Sequence, residues 1–245
     1  MRRYILLLLI VLLFGVLCDK TREGMTSLVA PDMRPLRSKN FDEDQIYEFN
    51  DFLNEEDCRA LIEYGRSRVT PSMVVCSNGV NCPNSVRTSE NTFIKDVENK
   101  VAAMITERVE KIMGIDRSHF EDLQIVHYSQ GREYKEHWDA CVSKELKDCD
   151  GRVVPSGQRY ATFIIYLNDD FEGGETCFPR RNNPKGKCSD PDAFKVKPKR
   201  GKGVLFFNLD PDGIRAKDIA IHAGLPPTSG EKWMCNKWIR TGKMQ

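Results

Sequence analysis

From Leu123 onward the chain is a succession of short β-type runs, and this texture limits the fold more than any other feature. Leu123–Tyr128, Tyr160–Leu167, Thr176–Phe178, Phe194–Lys197, Gly203–Asn208, Ile219–His222 and Trp233–Ile239 are rich in β-branched and aromatic residues, with Gly, Pro, Asp and Asn between them. Strands this short bury their apolar faces by stacking as a sandwich or closing as a barrel. Two helical patterns come first. Asn54 can cap a helix in which Glu55 and Glu56 suit the positive first turn and Leu61, Ile62 and Tyr64 supply an apolar face. Val97, Val101, Met104, Ile105, Val109 and Ile112 recur at helical spacing across residues 95–113, and Gly114 ends that pattern. The expected fold is α+β, mainly β, with both helices outside the sheets. Residues 70–91, rich in Ser, Asn, Pro and Gly, read as a long loop holding Cys76 and Cys82.

Met1-Arg2-Arg3 precedes an unbroken apolar run, Tyr4 to Cys18. Its 15 residues match a secretory h-region better than a membrane span of about 17 to 25 residues. Val16-Leu17-Cys18 is bulky for a cleavage site, so a cleaved signal and an uncleaved, type II signal anchor both stay open. Either one directs the chain to the secretory pathway, with the endoplasmic reticulum lumen as the expected site. Residues 19–43 carry Pro31 and Pro35 without hydrophobic period and read as a polar tether, leaving 44–245 as one domain. Of nine cysteines, eight lie beyond the apolar run, and an even number in an oxidising compartment favours disulfides. Cys76 with Cys82, Cys141 with Cys149 and Cys177 with Cys188 are local pairs. No C-x2-C occurs, which argues against structural zinc. The balance of 37 basic and 36 acidic residues excludes nucleic-acid binding driven by a global positive charge.

The chemistry concentrates at His137-Trp138-Asp139. Residues i and i+2 of an extended segment project to one face, so an imidazole and a carboxylate converge there. A distant second histidine would complete the two-histidine, one-carboxylate set that holds Fe(II) with open positions. His222, closing an apolar run 85 residues downstream of His137, is the candidate. Lys232, ten residues later in Gly230-Glu231-Lys232-Trp233, would carry an ammonium to the inner face of a return strand, where an anionic cosubstrate could pair with it. His127 falls on the opposite strand face from Tyr128, His119 lies in a turn and reads as exposed, and Asp169, Asp170 and Glu172 read as a solvated turn.

The stretches YSQGREYKEHWD (128–139), RYATFIIYLNDDFEGGETCFP (159–179) and residues 201–242, with HAGLPPTSGEKW, resemble the prolyl 4-hydroxylases, Fe(II)- and 2-oxoglutarate-dependent dioxygenases. The likeness is to the small monomeric type of algae, plants and large DNA viruses and spans residues 45–243. It implies a double-stranded β-helix, the jelly-roll or cupin-like core, flanked by N-terminal helices. It also implies hydroxylation of peptidyl proline at C4, with O2 and 2-oxoglutarate as cosubstrates, ascorbate as an accessory, and succinate and CO2 as products. By the same resemblance His137, Asp139 and His222 hold iron, and Lys232 binds the C5 carboxylate of 2-oxoglutarate with Tyr128 and Thr176 as hydroxyl donors. Trp238 lies beside the cosubstrate, while Arg87, Glu121, Tyr134 and Arg159 contact a proline-rich peptide. The 76–87 loop would cover the groove. A monomer, with a membrane tether if the N-terminal segment is retained, is expected. Hydroxylation of peptidyl lysine or a small molecule is the nearest alternative, and a non-catalytic cupin-like binding module or a chaperone subunit the next.

Overall fold

The computed structural model describes residues 36–38, 40–75, 81–82, 85–142 and 153–244. The targeting segment 1–18, residues 19–35 of the tether, Cys76 and Cys149 lie outside them. In chain order the elements begin with β1 (Tyr47–Phe49), α1 (Glu55–Arg66), β2 (Thr70–Pro71), β3 (Val74–Val75), β4 (Asn81–Cys82), β5 (Glu90–Ile94) and α2 (Lys100–Met113). There follow β6 (Leu123–Tyr128), β7 (Tyr134–His137), β8 (Arg159–Tyr166), β9 (Glu172–Gly173), β10 (Thr176–Phe178) and β11 (Phe194–Val196). The series closes with β12 (Gly203–Phe207), β13 (His222–Gly224), β14 (Pro227–Ser229) and β15 (Lys232–Arg240).

The described strands pair antiparallel throughout, in a major sheet of order β1-β12-β8-β15-β6-β5-β2, a minor sheet of order β11-β10-β13-β7 and the two-stranded pairs β14-β9 and β3-β4. This is the jelly-roll arrangement that the resemblance implies, and one of the sandwich or barrel solutions open to such short strands. Strand alternation divides the major sheet's residues between two cores. Ala161, Phe163 and Ile165 of β8, Leu205 and Phe207 of β12, and Trp233, Cys235 and Ile239 of β15 join Leu61, Val101, Ile105 and Val109 of the helices. Val126, Ile164, Tyr166, Val204, Phe206 and Met234 face inward and meet Phe178 and Val196 of the minor sheet. Each fully buried large apolar side chain contributes roughly 1.5–3 kcal/mol.

Asn54 caps α1 as expected, accepting from Asp57 N, and Asn99 caps α2, accepting from Val101 N and Ala102 N. The second helix starts later than its periodicity predicts. Residues 96–98 form a 3-10 turn, Asn99 caps at Lys100, and Val97 is 93% exposed instead of joining the apolar face. Gly114 closes α2 at φ 65°, a conformation that suits glycine. The 70–91 segment is more structured than a loop, because β2 pairs with β5 and β3 with β4. Ser72 N donates to Ser89 O at 2.9 Å, and pairing among such polar residues leaves no apolar alternation to read. Three residues read as the end of the tether lie on the body: Leu36 and Phe41 pack against the core and Tyr160 Oη donates to Glu43 at 2.5 Å. Cys177 and Cys188 form a disulfide. Cys58 and Cys235 depart from the disulfide expectation: they are free thiols, buried in α1 and β15.

Candidate active site

The two sheets leave a pocket at one end, and β7 and β13 of the minor sheet form one wall. His137, the last residue of β7, stands opposite His222, the first of β13, in register. The segment before His222 is a 3-10 turn, Asp218–Ala220, where β structure was expected. That turn aims the Ala220 carbonyl at the imidazole: His222 Nδ1 lies 3.0 Å from Ala220 O, and His137 Nδ1 lies 2.7 Å from Lys135 O. A carbonyl only accepts, so each Nδ1 carries the hydrogen and each Nε2 keeps a lone pair. His137 Nε2 is 3.8 Å from Asp139 Oδ1 and His222 Nε2 is 3.7 Å from Asp139 Oδ2. One ligand atom from each of the three lies within 4.8 Å of the others, a donor set that fits Fe(II). Burial, then the nearby His222, pushes His137 below the ordinary imidazole range. Burial alone would raise Asp139, but His222, His137, Arg159 and the Thr162 hydroxyl together hold it well below the usual carboxylate range. The neutral imidazole and ionised carboxylate are the forms that ligate a cation.

The floor is the inner face of β6, β8 and β15. Lys232 pairs with Tyr128 in register, is fully buried, and donates to Gly174 O at 2.7 Å. Its Nζ lies 5.1 Å from the Tyr128 ring centroid and 5.5 Å from that of Tyr166. Burial pushes its ammonium down to about 7, with only Glu175 acting the other way. Burial likewise pushes the Tyr128 phenol up to about 12, so it stays a hydrogen donor. Thr176, also buried, accepts from Tyr166 Oη at 2.6 Å. Gly224 reserves the space between the sheets: a Cβ there would come within 3.1 Å of Tyr128 Oη.

Of the residues named from the sequence, His137, Asp139, His222, Tyr128, Thr176, Trp238, Arg87, Tyr134 and Arg159 all line this pocket. Lys232 lies beneath it. The Tyr134 ring stacks on His137 with centroids 3.5 Å apart, and the Arg87 guanidinium carbon lies 4.7 Å from the Tyr134 ring centroid. Arg159 lies 3.5 Å over the Trp238 ring, and Trp238 Nε1 donates to Asp139 Oδ2 at 2.9 Å. Glu121 is the exception among the expected peptide contacts. It is fully buried, accepts from Arg159 Nε at 2.7 Å and Nη2 at 3.0 Å, and accepts from Arg240 Nε at 2.8 Å, so it anchors Arg159 from behind. Trp138, Asn236, Met234 and Gly224 also line the pocket, and Thr162 bonds Asp139 directly, though none had been singled out. Thr162 is readable only as a lone polar residue in an otherwise apolar run. His127 faces away from the pocket, stacks on Trp233 and meets Glu90 and Glu231, each at 2.9 Å. His119 is half-buried, not exposed, because its Nδ1 sits 3.0 Å from Arg240 O. Asp169 and Asp170 bind Arg200 N and Asn168 at the surface, as a solvated turn should.

A jelly roll with two histidines and one aspartate at the pocket wall defines an iron- and oxo-acid-dependent oxygenase. Residues 123–240 accordingly match the 2OG-Fe(II) oxygenase superfamily. The chain belongs to the prolyl 4-hydroxylases. It is 33% identical over 211 residues to a probable prolyl 4-hydroxylase of Arabidopsis thaliana, covering 82% of this chain and 71% of that one. It is 31% identical to a putative prolyl 4-hydroxylase of Acanthamoeba polyphaga mimivirus, covering 79% and 73%. Among solved structures it is similar to a viral collagen prolyl hydroxylase of Paramecium Bursaria Chlorella virus-1 in its 2OG complex. That match has 28% identity and TM-score 0.58, and covers 80% of this chain and 95% of that one.

Proposed function

We propose that this protein hydroxylates peptidyl proline at C4 in proline-rich or collagen-like sequences. The observation that carries the reading is the convergence of His137 Nε2, His222 Nε2 and the Asp139 carboxylate above a buried ammonium, Lys232. His137, Asp139 and His222 would hold Fe(II), and Lys232, with the Tyr128 and Thr176 hydroxyls, would receive the distal carboxylate of 2-oxoglutarate. Bound together with O2, iron and 2-oxoglutarate supply the oxidation: one oxygen atom enters succinate as CO2 leaves, and the other becomes the hydroxyl on proline. Ascorbate serves to keep the iron reduced.

The chain's own residues bind, orient and exclude water. Lys232 offers a desolvated cation, so a carboxylate there gains far more than it would in water. Trp238, Tyr134 and Trp138 close the pocket walls around the reacting centre. Arg87, Tyr134 and Arg159 stand at the wall as peptide contacts, and Arg87 also borders a cleft of about 450 Å³ lined by Ser72, Ser85, Ser89, Ser129 and Arg132. That cleft gives room for residues flanking the target proline. A polyproline II segment suits such a groove because its backbone is already ordered.

The secretory reading is supported by the basic start, the apolar run 4–18 and the Cys177–Cys188 disulfide. Among the described residues no helix is long and apolar enough to cross a membrane, so any tether belongs to the N-terminal segment. The domain begins near residue 44, extended by the docked residues before it, and acts as a monomer. Incubation with Fe(II), 2-oxoglutarate, ascorbate and a proline-rich peptide tests the activity. Mass spectrometry should find one added oxygen on proline, absent with His137→Ala. Iron-loaded protein that never turns over 2-oxoglutarate with any such peptide would refute the reading.

A further inference from the structure

Asp139 is fastened by more than its place beside His137. Its Oδ2 accepts from the Trp238 indole at 2.9 Å and from the Thr162 hydroxyl at 2.6 Å. Behind Thr162, the Asn208 side chain, 1% exposed, donates from Nδ2 to Thr162 Oγ1 at 2.9 Å. The direction of each hydrogen follows from the end of the chain. An ionised carboxylate has none to give, so Thr162 spends its single hydrogen on Asp139, and its oxygen is left to accept from Asn208. Asn208 cannot swing away, because its backbone is pinned on both sides: its N–H donates to Tyr160 O and its carbonyl accepts from Lys217 N, each at 2.8 Å. This orientation leaves Asn208 Oδ1 buried with no partner among the described residues. An orphaned buried acceptor costs stability, so packing alone gives no reason for an asparagine here.

We propose that Thr162 and Asn208 are positioning residues for the metal, a relay that holds Asp139 Oδ2 and so fixes the plane of the carboxylate against the two imidazoles. The inference rests on reading His137, Asp139 and His222 as the Fe(II) ligands. Trp238 alone leaves the carboxylate free to rotate about one hydrogen bond, whereas two donors on one oxygen fix its plane. Register supports the assignment. Thr162 lies opposite Trp238 of β15 and Phe206 of β12, so the two donors to Asp139 are neighbours on adjacent strands and share one rigid frame. Hydrogen-bond partners of metal ligands act by orienting the ligand, and donors on a carboxylate also favour its ionised, ligating form.

The test uses the full chain, stripped of metal and titrated with Mn(II), with the free ion followed by electron paramagnetic resonance. Thr162→Val, which keeps the shape and removes the donor, should raise the Mn(II) Kd about 10-fold or more, in the range typical for lost ligand partners. Thr162→Ser should restore it to within about threefold of wild type, since the hydroxyl returns. Asn208→Leu should weaken Mn(II) binding as well, while the metal-free protein melts at the wild-type temperature or higher because the orphaned acceptor is gone. Wild-type Kd in both Thr162→Val and Asn208→Leu overturns the proposal. So does a Thr162→Ser protein as weak as Thr162→Val, which would make the role one of packing. If wild type itself binds Mn(II) no better than His137→Ala, the ligand reading has failed and the relay with it. Unchanged affinity in the relay variants alone, against tight wild-type binding, sinks only the relay.

Discussion

Lys232 is where burial and charge conflict most openly. Among the described residues its ammonium has one hydrogen bond, to a neutral carbonyl, and burial pushes it down to about 7 from 10.5. A lysine lowered in this way costs the empty protein stability below about pH 7, and the cost is relieved as pH rises toward 10.5. A dianionic cosubstrate requires the ammonium form. Binding 2-oxoglutarate at pH 8 should therefore take up close to one proton, and Kd should climb about tenfold per pH unit well above pH 7. Calorimetry in buffers of different ionisation enthalpy reads the proton directly, and no uptake at pH 8 would contradict the assignment. Glu121 poses the opposite case, a buried carboxylate shared between Arg159 and Arg240. Removing it leaves two guanidinium groups facing each other in a dry site. Glu121→Ala should thus cost about 3–5 kcal/mol in urea unfolding, since losing one partner of a buried ion cluster strands the others. A variant of wild-type stability with weakened peptide binding would instead place Glu121 at the substrate.

At the scale of elements, α1 is held against the major sheet by the absence of a side chain. A Cβ on Gly65 would lie 2.8 Å from the Trp233 ring and 3.2 Å from Ile125, so helix and sheet meet at van der Waals distance there. Gly65 is in the helical conformation, where alanine is intrinsically better by up to about 1 kcal/mol. Overpacking of a close contact costs about 1–3 kcal/mol and wins, so Gly65→Ala should lower the melting temperature. A melting temperature at or above wild type would mean that the ring moves aside freely. The same elements mark what sequence reading can reach. His137 and Asp139 were legible because their spacing puts both on one side of an extended segment, and His222 because an apolar run led into it. Thr162 and Asn208 were not, because their roles depend on which strand lies beside which, and register is a tertiary fact. Glu121, which the resemblance makes a peptide contact, differs for a related reason: its burial shows only once Arg159 and Arg240, from distant strands, are seen to enclose it. Val97 kept the helical period while belonging to a 3-10 turn, since a single turn of either helix repeats residues at nearly the same spacing.

Taken as a whole, the molecule divides its labour between a thick sheet backed by helices and a thin one that carries both histidines. The minor sheet is tied to the segment that follows β10. Cys177, fully buried between the inward-facing Thr176 and Phe178, is bonded to Cys188, whose backbone N–H donates at 2.8 Å to Glu136, the residue before His137. One covalent link thus ties β10, in the middle of the minor sheet, to a segment that also braces β7. Closing a loop of this size stabilises the fold by about 3 kcal/mol in the chain-entropy account. Replacing Cys177 and Cys188 together by serine should lower unfolding free energy by about 2–4 kcal/mol. Because the link backs the thin sheet and not the helix-covered one, hydrogen exchange should rise first in β7, β10 and β13, leaving β8 and β15 protected. Cys58 and Cys235 supply an internal control. Burial raises both thiols, Cys58 to about 11, so they should stay unreactive toward an alkylating agent in the native variant and react only on global unfolding. Uniform exchange across both sheets, with alkylation of Cys235 at the same rate, would show that the disulfide stabilises the molecule globally and leaves the histidine-bearing sheet no weaker than the rest.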